Sequence, residues 1–248
     1  MDGFESEHGL AFFIETGHKK IIFDTGSSDL FIKSAALLGI SLGEADMIVL
    51  SHGHWDHGNG LVHLEGLPLV CHPGCFVKRY RKSGEGDLGL SLSEEELRSR
   101  YTIQTYKEPH KLCEHTWFLG EIPRWNSYEA KSTKYILEGG EEDFIMDDSG
   151  LACVTDQGLV VISGCAHAGI CNMVEYAMAV TGESKVAAVI GGFHLRAVNN
   201  QTRRTISYLK NLGVERVIPS HCTFDPALEE FHKVFGKKEL QTGVRLIF

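Results

Sequence analysis

The chain has 248 residues, enough for one large domain or two small ones and for a sizeable core without covalent staples. Hydrophobic residues make up 43% and charged residues 23%, the balance of a soluble globular protein. The net charge of −9 argues against general nucleic-acid binding, and no apolar run approaches the roughly 18 residues that cross a bilayer.

The acidic start, Met1 to Glu7, is not a secretory signal, and seven cysteines is an odd number for a disulfide framework. Together they point to a reducing, cytoplasmic setting. In chain order, Leu10–Glu15 and Lys20–Phe23 read as two strands joined by a turn at Thr16–Lys19. Asp24–Ser28 breaks the second strand. Asp29–Leu38 has helical spacing with Gly39 as its stop, and Met47–Leu50 is a short buried strand. A His-rich loop follows directly, then a strand at Pro68–Cys71.

Residues 78 to about 146 differ in texture, with Gly/Ser/Glu-rich pieces and one amphipathic helix at Ser93–Arg100. They read as an insertion or cap on a single domain spanning 1–248, or as ordinary surface loops. From 151 the pattern is regular. Strands at 151–155 and 159–162 flank Asp156-Gln157-Gly158, and helices are expected at 168–180, 202–212 and 226–235. Strands are expected at 186–190, 216–219 and 244–248. Pairing strands early and strand–helix alternation late predict a layered α/β sandwich.

The strongest signal is Ser51-His52-Gly53-His54-Trp55-Asp56-His57-Gly58. Imidazole and carboxylate both ligate Zn, Fe or Mn. Alternating residues of an extended stretch point the same way, so His52 and His54 can share one ion. Asp56 and His57, further round the turn, are placed for a second. The bland alternative is a solvated His-rich loop, which has no packing rationale directly after a core strand.

The His-x-His-x-Asp-His string, preceded by Phe23-Asp24-Thr25-Gly26, resembles the metallo-β-lactamase superfamily. That resemblance implies a four-layer αββα sandwich with a dinuclear site at one edge of its two sheets. Further ligands are expected where apolar strands end in small residues and a His: Ile162 to His167, Ile190 to His194, and Ile218 to His221. A single His after a strand is more often structural; three such places beside the loop predict that at least two are ligands.

Glu7-His8-Gly9-Leu10, Gly120-Glu121-Ile122-Pro123-Arg124, Ser163-Gly164-Cys165-Ala166-His167-Ala168-Gly169, Gly191-Gly192-Phe193-His194-Leu195 and His221-Cys222-Thr223 resemble one branch more closely. Its members are the 7,8-dihydropterin-6-methyl-4-(β-D-ribofuranosyl)aminobenzene-5′-phosphate synthases. The synthase name implies displacement of pyrophosphate from a pterin by an arylamine carrying a ribose phosphate.

The sequence departs from the superfamily pattern in places. The region matching the usual third His, Ile145 to Ser149, has no His, and Cys165 stands at the usual bridging Asp. We therefore expect His167 to complete the first ion and His221 to join Asp56 and His57 on the second. Cys165 is either a thiolate ligand or a small buried residue that lets a helix approach. Few residues precede Glu7, so a first strand typical of the branch is expected to be missing from a truncated start.

Two such ions polarise a substrate oxygen and acidify water, which suits attack on an ester, thioester or phosphoester. Asp24 is expected beside the loop, fixing the tautomer of a ligand imidazole. Asp56 is expected to be catalytic as well as a ligand. His194 is a ligand, an acid/base group or a structural residue. Arg79 and Arg81, in the basic run Lys78–Lys82, either grip a substrate phosphate or lie on an exposed helix face. Trp117, Trp125 and Tyr128 could stack on a flat ring or belong to the core.

The favoured reading is a cytoplasmic hydrolase or pyrophosphate-displacing transferase with two divalent ions, Zn first and Fe or Mn as alternatives. Its partner is a phosphorylated small molecule, not nucleic acid or membrane. The alternatives are a di-iron redox protein and a non-catalytic metal-binding sensor on the same fold.

Overall fold

The computed structural model describes residues 3–84 and 86–248. The chain divides into two compact units. The first contains 1–107, 132–147 and 242–244; the second contains 108–131, 148–241 and 245–248.

The first unit is built on a five-stranded sheet in the order Phe12–Thr16, Lys19–Phe23, Met47–Val49, Pro68–Cys71, Thr102–Thr105. The first pair is antiparallel and the rest are parallel. Parallel strands need cover on their faces, which is why Ile21-Ile22-Phe23 and Ile48-Val49-Leu50 are continuous apolar runs with almost no exposure. Leu97 and Tyr101, from the helix Glu94–Arg100 and its end, pack with Ile22, Ile48, Leu50 and Leu69. That helix begins with a reciprocal cap: Ser93 Oγ accepts from Glu96 N, and Glu96 accepts from Ser93 N.

The register of this sheet places the site. Phe23 lies opposite Val49, so both strands end at the same edge, where Asp24 N donates to Val49 O. Asp24 and the Ser51–His57 loop therefore leave the sheet side by side. A small antiparallel sheet of Glu142–Asp143, Tyr135–Leu137 and Arg79–Arg81 completes the unit.

The second unit carries a six-stranded sheet in the order Arg216–Ser220, Val186–Gly192, Gly158–Ser163, Gly150–Thr155, Thr116–Phe118, His110–Cys113. Its first three strands are parallel. Helices Ile170–Thr181, Asn200–Asn211 and Asp225–Phe235 supply Met173, Val174, Leu209 and Phe231 to a core with Val161, Val189 and Val217. Ser163 pairs with Gly191 and Gly192 with Ser220, so the three parallel strands end together. The next residues in each case are the segments that carry Cys165, His194 and His221.

The stretch 78–146 is shared between the units, and six short strands lie among its described residues. Two sequence expectations change. The basic run is not a helix face: Arg79–Arg81 is a strand. Residues 244–248 form no strand. Arg216 holds that tail with its side chain, donating to Ile247 O at 2.7 Å with its guanidinium over Phe248, which leaves no backbone ladder there. No helix among the described residues is long and apolar enough to cross a membrane.

Candidate metal centre

In the first unit, His52, His54, Asp56 and His57 are all buried. The rings of His52 and His54 lie 4.6 Å apart and those of His52 and His57 4.3 Å. His57 Nε2 is 3.8 Å from Asp56 Oδ2. The loop can run this tightly because residue 53 is Gly; a Cβ there would collide with the Cys75 carbonyl.

Asp24 organises the donors. Its backbone sits at φ +58°, a conformation that non-glycine residues rarely adopt and that clusters at functional sites. Its buried carboxylate accepts from Ser51 N (2.7 Å), Ser51 Oγ (2.8 Å) and His57 Nδ1 (2.7 Å). An ionised carboxylate only accepts, so His57 carries its proton on Nδ1. Ser51 gives its one hydroxyl proton to Asp24, so its oxygen accepts from His52 Nδ1 at 2.8 Å. Both imidazoles are thus fixed with a lone pair on Nε2.

His52 Nε2 faces His54 Nδ1 at 2.9 Å. Two nitrogens at about 2.0–2.1 Å from one tetrahedral ion stand about 3.3 Å apart, close to that spacing. Burial pushes the His52 pKa well below its usual value, helped by the neighbouring His57 and His54 charges. His52 is therefore neutral, the form that ligates a metal. On the outer side, His8 Nε2 lies 3.2 Å from Asp56 Oδ2.

The expectation for Arg79 is corrected. Its side chain is 1% exposed, so it cannot grip a substrate. It donates from Nη2 to Asp147 Oδ1 at 2.9 Å and to Gly74 O at 3.0 Å, with Nε 3.4 Å from Asp143 Oδ2. Asp147 Oδ2 accepts from Gly53 N at 2.7 Å. Arg79 thus acts on the backbone between the two loop histidines, through Asp147. Arg81, on the same strand, is exposed.

In the second unit, Cys165 and Cys222 are buried. Cys165 Sγ, a ring nitrogen of His194 and Cys222 Sγ all lie within 4.8 Å of one another. The rings of His167 and His194 are 4.3 Å apart. Ala166, His194 and His221 have φ of +54°, +49° and +52°, so three left-handed residues shape the loops after the three parallel strands. Asp148 Oδ2 accepts from Ala168 N at 2.9 Å, just past His167. His194 Nδ1 is buried and has no hydrogen-bond partner among the described residues. Burial pushes the Cys222 thiol up, but hydrogen bonds with Cys165 and His194 and the charges of His194 and His221 outweigh it, so its pKa falls well below normal.

In each unit by itself the donors, neutral imidazoles with defined lone pairs and a carboxylate in the first and thiols with an orphaned ring nitrogen in the second, are of the types that suit a borderline divalent metal such as Zn or Fe. Sequence reasoning missed Ser51, Asp147, Asp148 and the part played by Cys222. Tyr128 lies beneath Arg204, 4.1 Å from ring centre to guanidinium, and packs on the core; Trp117 packs there too, under Lys111. Trp125 is 52% exposed beside Tyr176.

The profile of the metallo-β-lactamase superfamily matches residues 7–71. The chain is 38% identical to the 7,8-dihydropterin-6-methyl-4-(β-D-ribofuranosyl)aminobenzene-5′-phosphate synthase of Methanocaldococcus jannaschii, over 94% of this chain and 88% of that protein. It is 31% identical to an uncharacterized protein of the same organism, over 93% of this chain and 90% of that one. The crystal structure of Tm1679, a metal-dependent hydrolase of the β-lactamase superfamily, matches with a TM-score of 0.89 at 30% identity, over 100% of this chain and 94% of that chain. The fold is therefore the α/β metallo-β-lactamase fold that the sequence predicts. The chain is a metal-dependent member of the metallo-β-lactamase superfamily, and within it belongs to the branch that includes the dihydropterin ribofuranosylaminobenzene-phosphate synthase.

Proposed function

We propose that the chain is a dinuclear metal-dependent hydrolase, or a pyrophosphate-displacing transferase of the synthase type, acting on a phosphorylated small molecule. Its metal donors are His52, His54, Asp56 and His57 of the first unit and His167, His221 and Cys165 of the second. Zn is the first choice for both ions, with Fe or Mn as alternatives. The observation that carries this reading is the Asp24 network, which fixes Nε2 of both His52 and His57 as lone-pair donors. The phosphorylated substrate is supported by the name of the 38%-identical synthase.

When bound, the ions supply positive charge that polarises a substrate oxygen and favours ionisation of water near neutral pH. The chain does the rest. Asp24 holds protons on the far side of two imidazoles. Asp56, with Oδ2 beside the exposed His8 ring, is the carboxylate placed to take a proton from an incoming nucleophile and pass it outward. His194, with its buried Nδ1, is oriented by the strained turn after Gly192.

The test is metal analysis of the purified full chain together with two assays. One incubates a dihydropterin pyrophosphate with a ribofuranosylaminobenzene phosphate and measures pyrophosphate release. The other screens phosphodiesters, phosphomonoesters, lactones and thioesters. Two ions per chain and turnover in either assay, lost in Asp56→Ala, is the expected result. A metal-free protein, or full activity in that variant, overturns the proposal; two iron ions with reversible redox spectra and no turnover would favour an electron-transfer role.

A further inference from the structure

Cys222 is an unusual buried thiol. Its sulfur is not packed as a small hydrophobe would be. It accepts from His194 N at 3.3 Å and lies 3.6 Å from the Cys165 carbonyl, to which a thiol proton would go. A backbone N–H aimed at sulfur favours a thiolate, as it does around metal–sulfur centres. Room for the sulfur is made by Gly192, where a Cβ would stand 2.6 Å from it.

The neighbours of that sulfur are themselves donors. Two sulfurs at about 2.3 Å from one tetrahedral ion stand about 3.8 Å apart, and a sulfur and an imidazole nitrogen stand slightly closer. The donor atoms of Cys165, His194 and Cys222 all lie within 4.8 Å of one another, within about an ångström of those spacings at most. The orphaned His194 Nδ1 gives one ring nitrogen without a competing partner among the described residues. Left-handed residues at Ala166, His194 and His221 fix the three loops that present these groups. Such conformations persist where the surroundings impose them, and they collect at functional sites.

We propose that Cys222 is a metal ligand: with Cys165 and His194 it forms a two-thiolate, one-imidazole set that holds a thiophilic divalent cation. This deepens the metal-dependent reading above and rests on it. Thiolate pairs select Zn, Fe, Co or Cd over Mg, Mn and Ca. The second thiolate also adds negative charge at the ion, which makes that ion a weaker Lewis acid than one bound by imidazoles alone.

The test loads the full chain with Co(II) and reads three quantities: ion content, thiolate-to-cobalt charge-transfer absorption, and the number of sulfur neighbours per ion by X-ray absorption. None requires turnover. In the unaltered protein two sulfurs per chain are expected. Cys222→Ser is expected to halve the charge-transfer absorption, and the double variant with Cys165→Ser to abolish it. One sulfur per chain with normal cobalt uptake, or absorption unchanged in Cys222→Ser, overturns this inference and leaves the metal-dependent reading standing. No cobalt uptake overturns both. The sulfur count in the unaltered protein decides the matter even where a variant fails to fold.

Discussion

Replacing Arg79 by Met should cost stability, not substrate affinity. The guanidinium is 1% exposed and is shared among Asp147, Asp143 and the Gly74 carbonyl. Methionine fills similar volume but leaves two buried carboxylates without a counter-charge. Breaking a buried ion pair by removing one partner costs about 3–5 kcal/mol. In a chain of this size each kcal/mol lowers the melting temperature by about 2–4 °C, so a loss of roughly 6–20 °C is expected. Removing the second charge should return part of it, so Arg79→Met with Asp147→Asn should be less damaging than the sum of the two single changes. The loss should also shrink at acid pH, where the stranded carboxylates take up protons. The assay is thermal or urea unfolding of the three variants followed by circular dichroism. A drop below about 1 kcal/mol, or a raised KM in a protein of unaltered stability, would refute the structural reading of Arg79 and restore the substrate-grip reading.

Other tests reach the remaining parts of the site. Asp24→Asn should weaken metal binding by about 10–100-fold, since it disturbs the proton positions on His52 and His57 together; competition with a chelator measures it. Because the folded-state pKa of His52 is depressed, the unfolded chain binds its proton first. Stability should therefore be full above the ordinary His value near 6.5 and fall as pH drops below it, by up to about 1.4 kcal/mol per pH unit for this group. Metal-free protein titrated by urea unfolding between pH 7.5 and 5 checks the sign. Glu129 is a buried carboxylate that accepts from Cys171 N, Asn172 N and Asn126 Nδ2 at the start of the helix Ile170–Thr181. Burial raises its pKa despite those bonds, so its contribution weakens as pH rises from the ordinary Glu value through the raised one. Glu129→Ala should cost about 2–4 kcal/mol by orphaning the helix donors, and Glu129→Gln less, with a flattened pH profile.

The parts of this protein that could be read from sequence are those in which cause and effect sit close together. Three histidines and an aspartate within six residues announce themselves, and the apolar runs at 186–190 and 217–219 mark buried parallel strands through composition alone. Ser51 is invisible because a hydroxyl that relays a proton preference looks like any other loop serine until the two atoms it bridges, Asp24 Oδ2 and His52 Nδ1, are placed. Asp147 was invisible for a different reason: it meets Gly53 across 94 positions of chain. Arg79 was misread because a run of basic residues says nothing about which of them turns inward. The strands within 78–146 are two to four residues long, too short to show an alternation, while the short apolar run at 246–248 forms no strand.

One carboxylate, that of Asp24, sets the proton on two imidazoles, one directly and one through a hydroxyl. At Asp24 the two rings therefore cannot be tuned apart. Any drift there that softened one as a Lewis base would soften its neighbour in the same step, so the first unit offers its donors as a matched pair, and a lineage seeking a different balance between them would have to rebuild Ser51, which reaches His52 alone.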